Sequence, residues 1–158
     1  MILEKVQLNL VVVNAICQII LHVFMRAKYV KKGRIFKVLS YGINMYDKSR
    51  GVGSTHAEAN AIAKLPPRPR NKKHLLKVNI LVIRTSQTGK IGISKPCIKC
   101  ILDMMTLPIK KGYIIKNILY SNEFGTIETT TLDKLINERK FHVSRFYRMH
   151  NFKHELLI

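Results

Sequence analysis

Two short stretches decide how this chain is built: Thr55-His56-Ala57-Glu58-Ala59-Asn60-Ala61-Ile62 and Ser94-Lys95-Pro96-Cys97-Ile98-Lys99-Cys100. Each opens a predicted helix. Thr55 stands three residues before Glu58, the spacing of a capping box, so a helix is expected to start there. Pro66-Pro67 ends it. Pro96 suits the first turn of another helix, running from Cys97 to about Leu107. Between the two lies Val78–Thr85, an apolar, β-branched run of the kind that forms a buried strand. Helix, strand and helix in succession point to an α/β domain.

Outward from this centre the pattern continues. On the N-terminal side, Leu8 to Phe24 is mostly apolar and carries no formal charge. Asn14, Gln18 and His22 recur at four-residue spacing and make one polar stripe, so a packed amphipathic helix is expected from about Leu3 to about Leu21. The run is short for a membrane span of about 20 residues. No small-residue cleavage site follows it. No membrane partner is therefore expected, and an intracellular location, cytoplasm or nucleus, is. A strand near Phe24–Val30 should turn at Lys31-Lys32-Gly33-Arg34 and pair with a second strand, Ile35–Tyr41. A loop covers 42–54, and a Pro-rich basic loop covers 66–73. A turn follows at Thr88-Gly89-Lys90.

Beyond the second helix, Ile114–Ser121 and Thr126–Thr131 read as strands joined by the tight turn Asn122–Gly125. So short a connection requires antiparallel pairing. A helix is expected over Leu132–Lys140. The order helix–β–β–helix–β–helix–β–β suggests a three-layer α/β/α arrangement around a five-stranded mixed sheet. The expected organisation is a single domain over 1–158, with its core at about 23–131 and a basic extension at about 139–158.

The charge narrows the partners. Of 158 residues, 28 are Lys or Arg and nine are Asp or Glu, a formal net charge of +19. The hydrophobic share of 47% is too high for a solvated, disordered coil. The acids are clustered: there are none between Glu58 and Asp103, where ten Lys and Arg residues fall. A field of this sign attracts phosphate, on a nucleotide or along a strand. Arg68, Arg70, Lys72 and Lys73 are the first candidates for phosphate contact, and the basic C-terminal stretch is the second.

Three cysteines cannot all pair within one chain, and Cys97 and Cys100 form C-x-x-C. Without a secretory signal that spacing indicates metal or redox chemistry. A C-x-x-C at a helix N-terminus directs two sulfurs the same way, and the N–H groups there favour thiolates. His56 can add an imidazole nitrogen. Three protein ligands with one open position make the pattern of a catalytic zinc site, whereas a structural site wants a fourth ligand. Cys17 sits in the apolar first segment, where a small buried residue is expected. Zinc in such a site lowers the pKa of its water to about 7. Glu58, two residues from His56, can reach that water without ligating the ion and can pass its proton on. H-x-E followed by P-C-x-x-C is the signature of zinc deaminases.

On these residues the chain resembles the cytidine and deoxycytidylate deaminase superfamily. Thr55 to Ile62 looks like the deoxycytidylate-type helix, Ser94 to Cys100 like the second zinc motif, and Ser40-Tyr41-Gly42-Ile43-Asn44 like the end of the second strand. The resemblance spans roughly Val23 to Thr131 and implies a cytidine-deaminase-like fold with Zn2+ as cofactor. It makes His56, Cys97 and Cys100 the ligands and Glu58 the proton shuttle. It further implies that Asn44 contacts the sugar and that the N–H groups of Ala57 and Cys97 line the base pocket. The carbonyl of Ser94 or Lys95 would accept from the exocyclic amine, and Tyr120 would border the pocket. The antiparallel last hairpin is similar to the free-nucleoside branch, while the helix motif is similar to the deoxycytidylate branch.

The expected function is hydrolytic deamination of a cytosine base in a nucleotide or in single-stranded nucleic acid. Adenosine deamination in RNA, and a non-catalytic zinc-containing nucleic-acid-binding module, are the alternatives. Family members are often dimers or tetramers, so a second copy of the chain is a further expected partner.

Overall fold

A computed structural model describes residues 7–14, 30–31, 34–45, 55–69, 74–86 and 88–143. The described elements are strands β1 (Gln7–Asn14), β2 (Val30–Lys31) and β3 (Arg34–Ile43), then helix α1 (Ala57–Ala63). Strands β4 (Leu76–Thr85) and β5 (Ile91–Gly92) precede helix α2 (Ile98–Lys110). Strands β6 (Tyr113–Ser121) and β7 (Ile127–Thr130) are followed by helix α3 (Leu132–Asn137). The chain is α/β, with one mixed sheet in the order β2-β3-β1-β4-β6-β7 and β5 beside β4. β3, β1, β4 and β6 run parallel. β2 pairs antiparallel with β3, β5 with β4, and β7 with β6.

Among the described residues the sheet has seven strands, where five were expected. One added strand is β1. Residues 7–14 are not helical, as their polar spacing suggested, but form a central parallel strand between β3 and β4. The reason is physical. A short apolar run can form either a strand or part of a helix, and periodicity alone cannot separate the two. The β-branched run Val11-Val12-Val13 favours the strand. The remainder of the expected helix, 3–6 and 15–21, lies outside the described residues, as does 24–29 of the first expected hairpin strand. The other added strand is β5, two residues folded back on the end of β4. β3, β4, β6 and β7 overlap the strands expected there, whereas β2 shares only Val30 with its expected strand and pairs Lys31 with Arg34, both expected in the turn; the Asn122–Gly125 turn does produce the antiparallel β6–β7 pair.

The core lies between the helices and one face of the sheet. α1 contributes Ala57, Ala61 and Ile62, and α2 contributes Cys100, Ile101 and Met104. α3 adds Leu135. They pack on Val78, Ile80 and Val82 of β4 and on Ile115, Ile118 and Tyr120 of β6. The buried set Ile98, Ile101, Met104 and Pro108 makes one stripe along α2 at three- to four-residue spacing. On the other face Leu81 and Ile83 form a second cluster with Val38 and Leu119. Among the described residues no helix covers that second face, so the expected outer layer is not seen there. No described helix is long and apolar enough to cross a membrane.

Gly42 sets how closely α1 approaches the sheet. A Cβ there would lie 2.1 Å from the Ala57 carbonyl oxygen and 2.4 Å from the Ala61 nitrogen. Only a residue without a side chain allows this contact. At the opposite end of the helices the turn after α2 grips the loop after α1. Lys111 Nζ donates to the Leu65 carbonyl at 2.9 Å, and Tyr113 Oη donates to the Pro66 carbonyl at 2.7 Å. Gly112, at φ +86°, leaves room for the Arg68 side chain against it.

Candidate metal centre

α1 and α2 both begin at the edge of the sheet where the parallel strands end. In open α/β sheets this is where loops gather functional residues. His56 is the N-cap of α1 and Cys97 the N-cap of α2. Thr55 is not the cap that its spacing suggested: it is one residue further out, in a bridge with Met45. An N-cap usually carries Ser, Thr, Asp or Asn, whose oxygen takes an orphan N–H of the first turn. Neither His56 nor Cys97 does this. Both side chains turn instead toward one another and toward Cys100, in the first turn of α2.

His56 Nδ1 lies 3.1 Å from Cys100 Sγ and 3.4 Å from Cys97 Sγ, and the two sulfurs are 3.5 Å apart. With Zn–S near 2.3 Å and Zn–N near 2.0 Å, a tetrahedral ion would set these edges at about 3.6 Å for N···S and about 3.8 Å for S···S. Three donors from three positions thus lie within a few tenths of an ångström of a common coordination sphere. His56, Cys97 and Cys100 are close enough together to hold a metal ion. Cys97 and Cys100 are buried and His56 is half-buried.

The charges of the cluster are mutually dependent. The Cys97 thiol is pushed down to about 4, because Cys100 donates to it and the His56 imidazole stands beside it. Cys100 is raised: its proton is held against Cys97, and it is buried next to Glu58. The contact with Cys97 raises His56, against the opposing effect of burial.

Glu58 follows in the first turn of α1 and is buried. Burial raises its carboxyl above the ordinary range. Cys100 beside it opposes that rise only in part, and Glu58 falls outside the three-ligand cluster.

The N–H groups left uncapped by His56 and Cys97 are taken by distant parts of the chain. Asn44, at the end of β3, accepts from the Ala57 N–H through Oδ1 at 2.8 Å. The His142 carbonyl, beyond α3, accepts from the Ile98 N–H at 3.0 Å. Asn44 and Ala57, both expected to face substrate, are thus bonded to each other. Ser94 is buried. Its Oγ donates to the Val82 carbonyl at 2.7 Å and accepts from the Ser121 N–H at 2.7 Å, joining β4, β6 and the loop that leads to Cys97. Lys95 reaches Glu138, at the end of α3, at 2.6 Å. Tyr120 is buried in the core that holds both cysteines and donates to Glu128 at 2.6 Å.

Of the four residues expected to contact phosphate, Arg68 is described. Arg68 donates through its guanidinium to the carbonyls of His74, at 2.9 Å, and Gly112, at 3.1 Å. It lies at the far ends of α1 and α2, about 20 Å from Cys97 along a 13-residue helix. These main-chain carbonyls compete for the same donors that phosphate would use. Arg70, Lys72 and Lys73 lie outside the described residues. Sequence reading missed the parts played by His142 and Glu138. A main-chain carbonyl leaves no signature in residue type, and an ion pair 43 residues apart leaves no local one.

In comparisons with protein-family models, curated proteins and solved structures, none matches this chain.

Proposed function

We propose that this chain is a zinc-dependent hydrolytic deaminase that converts a cytosine base to uracil with release of ammonia. In this reading its outer face completes a three-layer α/β/α, cytidine-deaminase-like architecture. One observation carries the proposal. A His/Cys/Cys triplet converges from two helix starts, with a buried carboxyl of raised pKa next to it that is not a member of the triplet. A structural site has no need of that carboxyl, which favours an enzyme over a non-catalytic zinc module.

His56, Cys97 and Cys100 are the residues that would hold the ion. Zinc bound there would supply Lewis acidity and an activated water at neutral pH. Glu58 would carry two protons in turn: one from the attacking water to the ring nitrogen, and a second, from the hydroxyl so added to the ring carbon, to the departing amine. Its raised carboxyl suits both directions of transfer. The Asn44–Ala57 bond fixes the start of α1 and so orients His56 and Glu58 together. The loop Ser94–Lys95, locked by Ser121 and Glu138, would present a main-chain carbonyl to the exocyclic amine.

The test is ammonia release from cytidine, deoxycytidine, their monophosphates, adenosine, and single-stranded DNA and RNA. The wild-type chain is expected to act on at least one cytosine substrate. Glu58→Gln should retain metal and lose at least about 100-fold in rate. Equal behaviour of the two proteins on every substrate would leave only the binding-module reading standing.

A further inference from the structure

We infer that the end of the domain opposite the metal centre is a peripheral docking surface for an anionic lipid bilayer. The inference is independent of the reaction proposed for the centre. The expectation of no membrane partner concerned a spanning segment, and a surface contact needs none.

One turn organises this end. The Gly112 N–H donates to the Ile109 carbonyl at 3.0 Å. The Gly112 carbonyl accepts from the Leu76 N–H at 3.0 Å and from the Arg68 guanidinium at 3.1 Å. The Arg68 N–H donates to the Lys111 carbonyl at 3.1 Å. Three segments, 64–69, 74–78 and 108–116, thus meet at Gly112. They hold six Lys or Arg residues and no Asp or Glu. Asp103, the acid of α2, lies nearer the metal end and pairs with Lys99. Lys77, Lys110 and Lys116 are exposed, and none of them has an acidic partner among the described residues.

Aliphatic side chains stand among these charges. Leu75 is 42% exposed, Ile109 51% and Ile114 40%. Ile109 and Ile114 lie within three residues of Gly112, and Leu75 is next to its bonded partner Leu76. Ile114 is the register partner of Lys77 across β4 and β6. The one Phe, Tyr or Trp of the three segments, Tyr113, is 3% exposed and offers no ring on which a base could stack. A nucleic acid would use the lysines alone and leave three apolar side chains in water. An anionic bilayer uses both. Its headgroups attract the lysines, and the boundary between headgroups and acyl chains takes up aliphatic side chains.

The test is flotation of the full chain with vesicles of phosphatidylcholine, alone or with about 30% phosphatidylserine. Binding is read without turnover, so a failed deaminase assay would not affect it. The wild-type chain should float with the anionic vesicles and stay behind with the neutral ones. Lys77→Gln/Lys110→Gln/Lys116→Gln should weaken partitioning about 100-fold, roughly fivefold for each charge. Leu75→Ser/Ile109→Ser/Ile114→Ser keeps every charge and should weaken it at least about 10-fold. Arg84→Gln/Lys90→Gln/Lys140→Gln removes the same charge from exposed positions outside the three segments and should weaken it far less. Circular dichroism verifies that the variants are folded. Equal losses in the two charge variants would overturn the proposal, as would undiminished binding by the aliphatic variant. So would equal flotation with both kinds of vesicle, or binding of duplex DNA by the wild-type chain with none to the anionic vesicles.

Discussion

His56 and Cys97 occupy positions where a helix ordinarily wants a small oxygen-bearing side chain, and they leave that duty to Asn44 and to the His142 carbonyl. The expense of an unmet local preference is a common mark of a functional site. It also makes these residues easy to test. His56→Ala, Cys97→Ala and Cys100→Ala should each reduce bound metal from about one ion per chain to near zero, read by elemental analysis of purified protein. Cys17→Ser should leave metal content unchanged. At this scale the sequence was highly legible. The C-x-x-C spacing and the His-x-Glu pair are short-range facts, and the chain brings the three donors together as expected. The substrate contacts were less legible, because they depend on main-chain groups whose partners no residue type announces.

At the scale of elements, the junction between α1 and β3 holds the site in register. Gly42→Ala would drive a methyl group into the main chain of α1. The expected cost is about 3 kcal/mol in denaturant unfolding, with weakened metal binding because His56 and Glu58 move with the helix. The β6–β7 hairpin carries its own acid sensitivity. Tyr120 Oη and Asn122 Nδ2 donate to Glu128 and hold its carboxyl below the usual range, while Tyr120 is pushed up to about 12 by burial. A depressed carboxyl contributes stability that is present above its unfolded pKa and lost as pH falls through the folded value. Hydrogen-exchange protection of β7 should therefore weaken from about pH 5 to about pH 3, and Glu128→Gln should flatten that dependence.

For the whole molecule, the two ends of the helices divide the labour: one gathers donors for an ion, the other is a clamp. Arg68 belongs to the clamp. Arg68→Ala should destabilise the fold by about 2 kcal/mol through the lost carbonyl contacts, with metal content and phosphate dependence of substrate binding unchanged. Elements whose pattern is local, such as α2 with its single apolar stripe and β6–β7 with its tight turn, were readable from the chain alone. β1 was not, since its neighbours β3 and β4 enter the sheet more than 20 and more than 60 residues later. Their pairing, rather than any nearby periodicity, makes 7–14 extended.

The placement of His56 and Cys97 at helix starts has one more consequence. Swapping them for conventional starters, His56→Asp with Cys97→Ser, would give each coil a better beginning at about 1 kcal/mol apiece. In chelator-treated samples such a protein should melt higher than its parent, although it can no longer grip an ion. Selection for a working pocket would then be visible as a handicap in the empty shell, one that metal loading erases.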